Sequence, residues 1–329
     1  MDFTLTSEQE LLRDSVRALL ARECPTSLLR AHIDDLGAGE PLWAQLREFA
    51  ALGTGATVDL CLVMEQLGYV AAPSPFFAIT CLYAPVLAAI GESDLDAVLA
   101  GEATGTVALA GADGAWHANA ESAKTFVPDA ATVDLVAAID ANRAVTLLAA
   151  PPVRRIETLD TTRQLYDVET GVPGTAAGVI SHDALSGVLE RATVALAAEM
   201  VGTARRLFDM SLAYATKRVQ FGVPIGSFQA IQHKLADMSL DVERAWSAVY
   251  YAAMTIDAVA DDRHRATHAA KASAGEAATR AAKDGVQIHG GIGFTWEHDL
   301  QFFIRRAYGA EALLGPTGWH HDRLADLLM

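Results

Sequence analysis

Apolar residues recur at helical spacing through the first hundred positions of the chain. Ser7 and Glu10 have the spacing of a capping box, in which the serine hydroxyl accepts from the Glu10 amide and Glu10 reaches back. We therefore predict a helix that begins there and ends at Cys24-Pro25, because proline has no amide hydrogen to donate. The same periodicity predicts further helices at about 40–52 and 58–70.

The pattern changes to short β-branched runs between about residues 101 and 181, and glycine, aspartate and proline separate the runs, as in a small β domain. The predicted strands are 106–110, 123–127, 135–139, 144–148 and 179–180. Long amphipathic helices return from Leu185, and a last one follows Trp296. The sequence thus predicts a mainly α protein with a small central β domain. Its parts are an N-terminal helical domain (1–100), a middle β domain (101–184) and a C-terminal four-helix bundle (185–329).

Composition narrows the class of protein. The chain has 329 residues, 51% of them hydrophobic, so it can bury a large core. Its formal net charge of −16 argues against binding to nucleic acid or to an anionic membrane, and no apolar stretch is long enough to span a bilayer. Three scattered cysteines are too few for a disulfide framework or a zinc site. Residues 1–4 lack the features of a secretion signal, so we expect a cytoplasmic protein.

Two segments contain candidate ligand-binding residues. The first runs from Arg218 to Gly222, between two predicted helices, and an arginine there can bind a phosphate through two hydrogen bonds. The second contains Gln287 and the pair Gly290-Gly291, where a backbone without side chains lets a ligand approach closely. On spacing alone, an ordinary helix end is the favoured interpretation of the first segment, and a helix C-cap with a tight turn is the alternative for the second.

Together, however, the two segments resemble the flavin-binding signatures of the acyl-CoA dehydrogenase family, Arg-x-x-Phe-Gly and, about 70 residues later, Gln-x-x-Gly-Gly. The helical–β–helical order is also similar to that family's fold along nearly the whole chain. The resemblance implies an FAD cofactor that is shared across a subunit interface. The implied contacts are Arg218 to the pyrophosphate, Gln220, Phe221 and Gln229 close by, with Phe221 near the adenosine half, and Gln287, Gly290 and Gly291 on the other side.

The resemblance also locates the family's catalytic base, a glutamate that removes the α-proton of an acyl-CoA thioester while hydride leaves for the flavin. The two positions that such a glutamate takes correspond here to Leu314 and Ala192, neither of which can accept a proton. Glu190 lies two residues from the second position, about 200° around a helix. Glu243 has the sequence context of an ordinary surface contact. We therefore expect no catalytic residue in this chain.

The middle segment lacks the family's usual stretches that hold the flavin ring and the acyl-CoA. The resulting hypothesis is a non-catalytic subunit of a heteromeric acyl-CoA dehydrogenase, similar to the actinobacterial type that acts on steroid side-chain thioesters. A homologous partner would supply the base and hold most of the substrate in a heterotetramer, and an electron-transfer flavoprotein or similar acceptor would take the electrons. The alternatives are a homomeric enzyme that uses Glu190 or Glu243, and a scaffold without FAD.

Three further groups receive plainer interpretations. Glu297-His298-Asp299 lacks the second histidine that a zinc protease motif needs, and Asp299 is well placed to begin a helix. We expect His320-His321-Asp322 to be a solvated tail or an interface feature. Family position favours Arg305 as a structural ion pair. No Gly-x-Ser-x-Gly pattern supports a hydrolase.

Overall fold

Helices form the chain up to residue 99 in the computed structural model, which describes residues 3–329 apart from the side chain of Glu40. The α-helices of this part are α1 (Ser7–Glu23), α2 (Thr26–Asp34), α3 (Glu40–Leu46), α4 (Thr57–Val70), α5 (Ala84–Ile90) and α6 (Leu95–Leu99). The helix predicted at 40–52 is only partly right, because 3₁₀ turns replace α-helix over Arg47–Gly53. The apolar stretch before α5 is π-helical over Phe77–Tyr83.

The N-terminus of α1 differs from its prediction by one residue. Thr6, not Ser7, is the N-cap: its hydroxyl accepts from the Gln9 amide at 3.2 Å, and the Gln9 side chain accepts from the Thr6 amide at 3.1 Å. The two hydrogen bonds form a capping box of the expected kind in a different register. The predicted end is confirmed, since α1 stops at Glu23, before Pro25.

The middle of the chain folds into two small sheets. Their strands are β1 (Gly105–Ala108), β2 (Ala123–Pro128), β3 (Leu135–Ile139), β4 (Ala144–Ala149), β5 (Val153–Ile156), β6 (Leu165–Glu169) and β7 (Thr175–Val179). One sheet has the order β1-β3-β4-β7, with β1 and β3 parallel, and the other has the order β2-β6-β5. All five predicted runs overlap strands, but β5 and β6 were not predicted. The division into three domains remains a prediction.

Long helices make up the rest of the chain, namely α7 (His182–Lys217), α8 (Gln229–Asp257), α9 (Arg263–His289), α10 (Leu300–Ala312) and α11 (Thr317–Leu328), with a short hairpin of β8 (Val219–Gln220) and β9 (Val223–Pro224) between α7 and α8. Helix α7 packs against α8, α9 and α10 and, on another side, against α4. Gly68 and Gly202 make the α4–α7 contact possible, because a Cβ at either would lie 1.9 Å from a backbone oxygen of the other helix. None of the helices within residues 3–329 has the length and apolar character needed to cross a bilayer.

Helix α11 corrects the expectation of a solvated tail around His320. The imidazole of His320 is 1% exposed and lies against α9 and the turn before α11. Its Nε2 is 3.1 Å from the carbonyl oxygen of Leu314, and its Nδ1 is 2.8 Å from Nδ1 of His268. A carbonyl can only accept, so Nε2 of His320 carries the proton and His268 donates to Nδ1.

Candidate functional site

The first predicted segment forms an exposed hairpin at the end of α7. Strands β8 and β9 pair in the register Val219 to Pro224 and Gln220 to Val223, which leaves Phe221 and Gly222 as a two-residue loop. Both have positive φ, 53° and 83°, as a type I′ turn requires. This conformation is unfavourable for a bulky residue such as phenylalanine. The hairpin nevertheless places Phe221 at this position, and its ring is 94% exposed to solvent.

The polar residues of the hairpin are also exposed. Within the described part of the chain, no hydrogen bond or ion pair ends on the guanidinium of Arg218. The amide of Gln220 donates to the carbonyl of its neighbour Val219 at 2.8 Å. Gln229 is the exposed first residue of α8. An exposed guanidinium without an acidic neighbour is suited to bind an anion from outside the chain.

The second predicted segment lies at the end of α9, where Gln287 is exposed and the helix stops at His289. Gly290 has φ 64° and ψ −140°, a conformation open essentially only to glycine. A Cβ added at Gly290 or Gly291 would meet no atom within 4 Å. The turn thus presents bare backbone to open space, as close approach by a ligand requires.

An aromatic contact brings these two segments to the same end of the helical bundle. The Tyr214 ring, one turn before Arg218, stacks on the ring of His289 with centroids 4.4 Å apart. His298 packs edge-on against His289, with centroids 4.9 Å apart. The backbone amide of Arg218 donates to the Tyr214 carbonyl at 2.9 Å. The hairpin and the glycine turn are therefore linked through packed side chains, although they lie far apart in the sequence.

The two positions that correspond to the family's base are both buried and apolar. Ala192 is 0% exposed within α7. Leu314 is 6% exposed, has a left-handed backbone with φ 56°, and lies on the wall of a cavity of about 660 Å³. Two carboxylates line this cavity and both are engaged: Asp113 accepts from the Ala115 amide at 3.0 Å, and Asp160 lies 3.1 Å from Nε of Arg306.

The two alternative bases are also engaged. Glu190, whose side chain is 11% exposed, lies 3.4 Å from Nε of Arg263 and forms a second close contact with His264. Glu243 accepts from Nη1 of Arg205 at 2.9 Å and is largely exposed. Neither glutamate lines the cavity beside Leu314.

No group of three or more His, Cys, Asp or Glu side chains that could hold a metal ion occurs within residues 3–329, and this includes the Glu297-His298-Asp299 segment. Asp299 instead occupies the N-cap position of α10 and accepts from the Arg30 guanidinium at 2.5 Å. Burial lowers the pKa of His298, which keeps its ring neutral.

The structure contradicts the expectation that Arg305 forms an ion pair. Its guanidinium lies 4.3 Å from the ring centroid of Trp296, a cation–π contact. The buried ion pairs belong to Arg306, which bonds Glu199 at 2.9 Å and Asp160 at 3.1 Å; Arg163 bonds the same glutamate at 2.5 Å. The sequence contained a signal for this cluster, because Arg306 lies on the apolar stripe of α10 with Phe302, Phe303 and Ala310.

Comparison with known proteins gives the class of this fold and site. Residues 183–329 match the acyl-CoA dehydrogenase C-terminal domain. The fold is similar to that of the ChsE4–ChsE5 complex from Mycobacterium tuberculosis, with a TM-score of 0.87, 24% identity and coverage of 100% of this chain and 99% of that one. A variant of the Tcur3481–Tcur3483 steroid ACAD also gives a TM-score of 0.87, with 26% identity and coverage of 99% and 98%.

Sequence relatives extend the match to nearly the full length. The chain is 33% identical to the acyl-CoA dehydrogenase IpdE2 of Mycolicibacterium smegmatis, over 95% of this chain and 96% of that protein. It is 32% identical to IpdE2 of Mycobacterium tuberculosis, over 94% of each. The chain therefore belongs to the acyl-CoA dehydrogenase family, a family of FAD-dependent oxidoreductases that act on CH–CH bonds. The predicted fold class and family resemblance are confirmed.

Proposed function

We propose that this chain is a non-catalytic subunit of a heteromeric, FAD-dependent acyl-CoA dehydrogenase. A contrast within one molecule carries the proposal: an exposed, unpaired Arg218 lies at the same end of the bundle as the bare Gly290 turn, while a buried leucine occupies the base position at Leu314. Similarity to a steroid ACAD supports, as substrate, an acyl-CoA thioester formed on the side chain of a steroid. The partner then supplies the glutamate that removes the α-proton and holds most of the substrate.

The chain's own residues hold the remote end of the cofactor. Arg218 would hold the pyrophosphate of FAD, because a planar guanidinium is suited to bind a phosphate. Phe221 packs near the adenosine half, with Gln220 and Gln229 close by. Gln287, with Gly290 and Gly291, lines the other side, where the absence of a Cβ leaves room. The bound FAD supplies the hydride acceptor, and the residues of this chain only bind and orient it.

Exposed aromatic side chains support assembly with a second subunit at this end of the bundle. The rings of Phe221 and Phe294 are 94% and 80% exposed, and Trp296 is 54% exposed. Apolar surface of this kind is typical of an interface that a partner covers. We propose a heterotetramer of two such pairs in the cytoplasm, which passes electrons to an electron-transfer flavoprotein or a similar acceptor.

The two alternatives have weaker support. A homomeric enzyme would need Glu190 or Glu243 as its base, and both are held by arginine side chains away from the cavity beside Leu314. A scaffold without FAD would have no use for the open glycine turn and the unpaired Arg218. Glu190→Gln and Glu243→Gln in the assembled complex should leave the turnover number within about twofold of the unsubstituted complex.

Co-purification with the partner tests the proposal. We expect the lone chain to carry little flavin and no dehydrogenase activity, and the complex to be yellow and active. Arg218→Ala should weaken FAD binding to the complex by roughly tenfold to a hundredfold, as for loss of a charge-assisted hydrogen bond. The matched control is Arg323→Ala, an exposed arginine paired with Asp326. Full flavin loading and activity of the lone chain would overturn the proposal.

A further inference from the structure

A second cavity lies away from the hairpin and the glycine turn. It has a volume of about 220 Å³ and lies between the N-terminal helices and the middle strands. His32 of α2, Trp43 of α3 and the prolines Pro73 and Pro75 form one side, and Asp129, directly after β2, lies on the other. An indole and two prolines give the cavity apolar walls, so its few polar groups determine what it can bind.

His32 is the first of these polar groups. Its side chain is 3% exposed, and within the described residues neither ring nitrogen has a hydrogen-bond partner. Burial lowers the pKa of this imidazole, and the nearby charges of Arg306 and Arg155 lower it further. The ring is therefore neutral and offers one N–H donor and one acceptor nitrogen. A buried polar group without a partner costs free energy, which a ligand can recover.

Gly39 leaves the space beside this imidazole open. A Cβ at that position would lie 3.3 Å from Nδ1 of His32 and 2.6 Å from the carbonyl oxygen of Pro73. Any larger residue would therefore crowd the ring and the loop that lines the cavity.

Asp129 is the second group, with a left-handed backbone at φ 55°. None of the hydrogen bonds within residues 3–329 ends on its carboxylate, whereas its backbone carbonyl accepts from the Thr132 hydroxyl at 3.0 Å. Burial raises the pKa of this carboxyl to about 7, although Arg163 and Arg306 oppose the shift. At neutral pH the group can therefore either donate or accept a proton in a hydrogen bond.

Three other polar side chains of the cavity wall already form hydrogen bonds within the chain. The hydroxyl of Thr104 donates to Asp134 at 2.7 Å, and that of Thr162 donates to Asp160 at 2.6 Å. The Gln164 amide oxygen accepts from the Tyr166 hydroxyl. Among the buried polar side chains of the wall that the structure describes, His32 and Asp129 are therefore the two without a side-chain hydrogen bond.

The charges nearby give no reason to expect an ionic ligand. The two buried arginines, Arg163 and Arg306, are matched by the two carboxylates Glu199 and Asp160. With these charges balanced, neither arginine is free to offset the desolvation of an anion. A neutral molecule avoids this cost.

We infer that this cavity is a binding site for a small neutral alcohol, whose hydroxyl group lies between His32 and Asp129 and whose hydrocarbon part lies against Trp43. A hydroxyl both donates and accepts through one atom, which suits two groups that can each do either. An apolar cavity of about 150 Å³ accommodates benzene, so a single six-membered ring fits here. The site is separate from the proposed FAD contacts, and its occupancy does not depend on them.

Matched probes test the inference on the full-length chain. Phenol and cyclohexanol are titrated by ligand-observed NMR, with benzene and cyclohexane as probes of equal ring size that lack the hydroxyl. We expect both alcohols to bind at millimolar concentration or below and the hydrocarbons to bind at least tenfold more weakly. Equal binding of alcohol and hydrocarbon, or no alcohol binding up to about 10 mM because only water fills the cavity, would overturn the inference.

Two variants locate the binding site. His32→Phe keeps a ring but removes both nitrogens, and should weaken phenol binding at least tenfold. The control His117→Phe makes the same change in the larger cavity beside Leu314 and should leave phenol binding within twofold. Asp129→Asn, which keeps a residue tolerant of left-handed backbone, gives a second test if His32→Phe does not fold. Unchanged phenol binding in a folded His32→Phe or Asp129→Asn variant would refute the assignment.

Discussion

At the scale of single residues, Arg306 is a charged side chain that is only 4% exposed, and burying a charge costs desolvation free energy unless the charge is paired. Its guanidinium is surrounded by the Glu199 and Asp160 carboxylates and donates to the Thr162 hydroxyl at 2.8 Å and the Ala72 carbonyl at 3.1 Å. These partners come from α4's end, the loop before β6, and α7. One side chain thus joins helices from both ends of the chain to the middle sheets.

We predict that Arg306→Met destabilises the protein by about 3–5 kcal/mol, because it leaves the buried Asp160 carboxylate without its cation and leaves Glu199 paired with Arg163 alone. The neighbouring variant Arg305→Met is the control, since that guanidinium is half-buried and stacks on Trp296. It should cost about 1 kcal/mol or less. Urea unfolding of both variants measures the difference. Equal losses of stability would show that the buried ion pairs do not stabilise the fold.

Residue-level prediction from the sequence succeeded where a motif fixed the position and failed where burial decided the role. The Arg218 and Gln287 segments carry recognisable spacing, and the structure brings both to one end of the bundle. By contrast, Arg305 and Arg306 are adjacent and chemically identical. Only the apolar stripe of α10 distinguishes them. The prediction followed the family position instead of that stripe and therefore assigned the ion pair to Arg305.

At the scale of elements, two buried basic side chains, Lys271 and His320, bond the backbone carbonyls of the turn between α10 and α11. Lys271 is 0% exposed and donates to the carbonyls of Glu311 at 2.9 Å and Gly315 at 3.0 Å. Burial lowers the pKa of Lys271 to about 8. Burial also lowers the pKa of His320 to about 3, with Lys271 and His268 adding to the effect. His320 therefore stays neutral in the folded protein.

This difference makes stability depend on pH. Between pH 6.5 and pH 3 the unfolded chain protonates His320 and the folded chain does not, so stability falls as the pH falls. At pH 5 the loss from this group is about 2 kcal/mol relative to pH 7.5. His320→Asn removes the group that titrates. The variant should be less stable than the unsubstituted protein at pH 7.5, and this difference in unfolding free energy should be about 2 kcal/mol smaller at pH 5.

The control is His321→Asn, because that imidazole is about half exposed and pairs with Glu276 on the surface. Asp129 titrates in the opposite direction over part of this range, but it does so equally in all three proteins and cancels in the comparison. A deficit for His320→Asn that stays constant with pH, measured by urea unfolding, would contradict the assignment.

The cap of α1 gives a second prediction at this scale. Thr6→Ala removes the hydroxyl that accepts from the Gln9 amide and should cost about 1 kcal/mol. Ser7→Ala changes the residue that the sequence pattern favoured as the cap, and should cost less than about 0.5 kcal/mol because Ser7 lies inside the first turn. Thermal unfolding of the two variants shows whether Thr6 or Ser7 caps the helix. A larger loss for Ser7→Ala would restore the cap expected from the sequence.

Elements were predictable where side-chain periodicity was strong. Strands β3 and β4 lie close to their predicted bounds, and helix α7 begins at His182, three residues before the predicted start at Leu185. Strand β5 (Val153–Ile156) was missed because two arginines occupy its centre, and its pairing with β6 involves an Arg154–Asp167 ion pair rather than an apolar face. Helix α11 was missed because its one buried residue is the polar His320 rather than an apolar side chain.

At the scale of the whole molecule, charge and exposed apolar surface act in opposite directions. A net charge of −16 keeps copies of the chain apart at low ionic strength. The exposed rings of Phe221 and Phe294 favour association at one end of the bundle. Repulsion between like chains and apolar attraction at one place together favour a different, less acidic partner over a second copy of this chain.

The final prediction tests whether this end of the bundle is the interface. Phe221→Ser with Phe294→Ser should weaken the complex with the partner by roughly a hundredfold or more, because burying a phenylalanine side chain is worth about 1.5–3 kcal/mol. Sedimentation velocity of the mixture at micromolar concentration measures the loss. Leu11→Ser on α1 is the control, since Leu11 is 68% exposed on an element remote in sequence from the hairpin. Unchanged association of the double variant, with correct folding by circular dichroism, would place the partner elsewhere on the molecule.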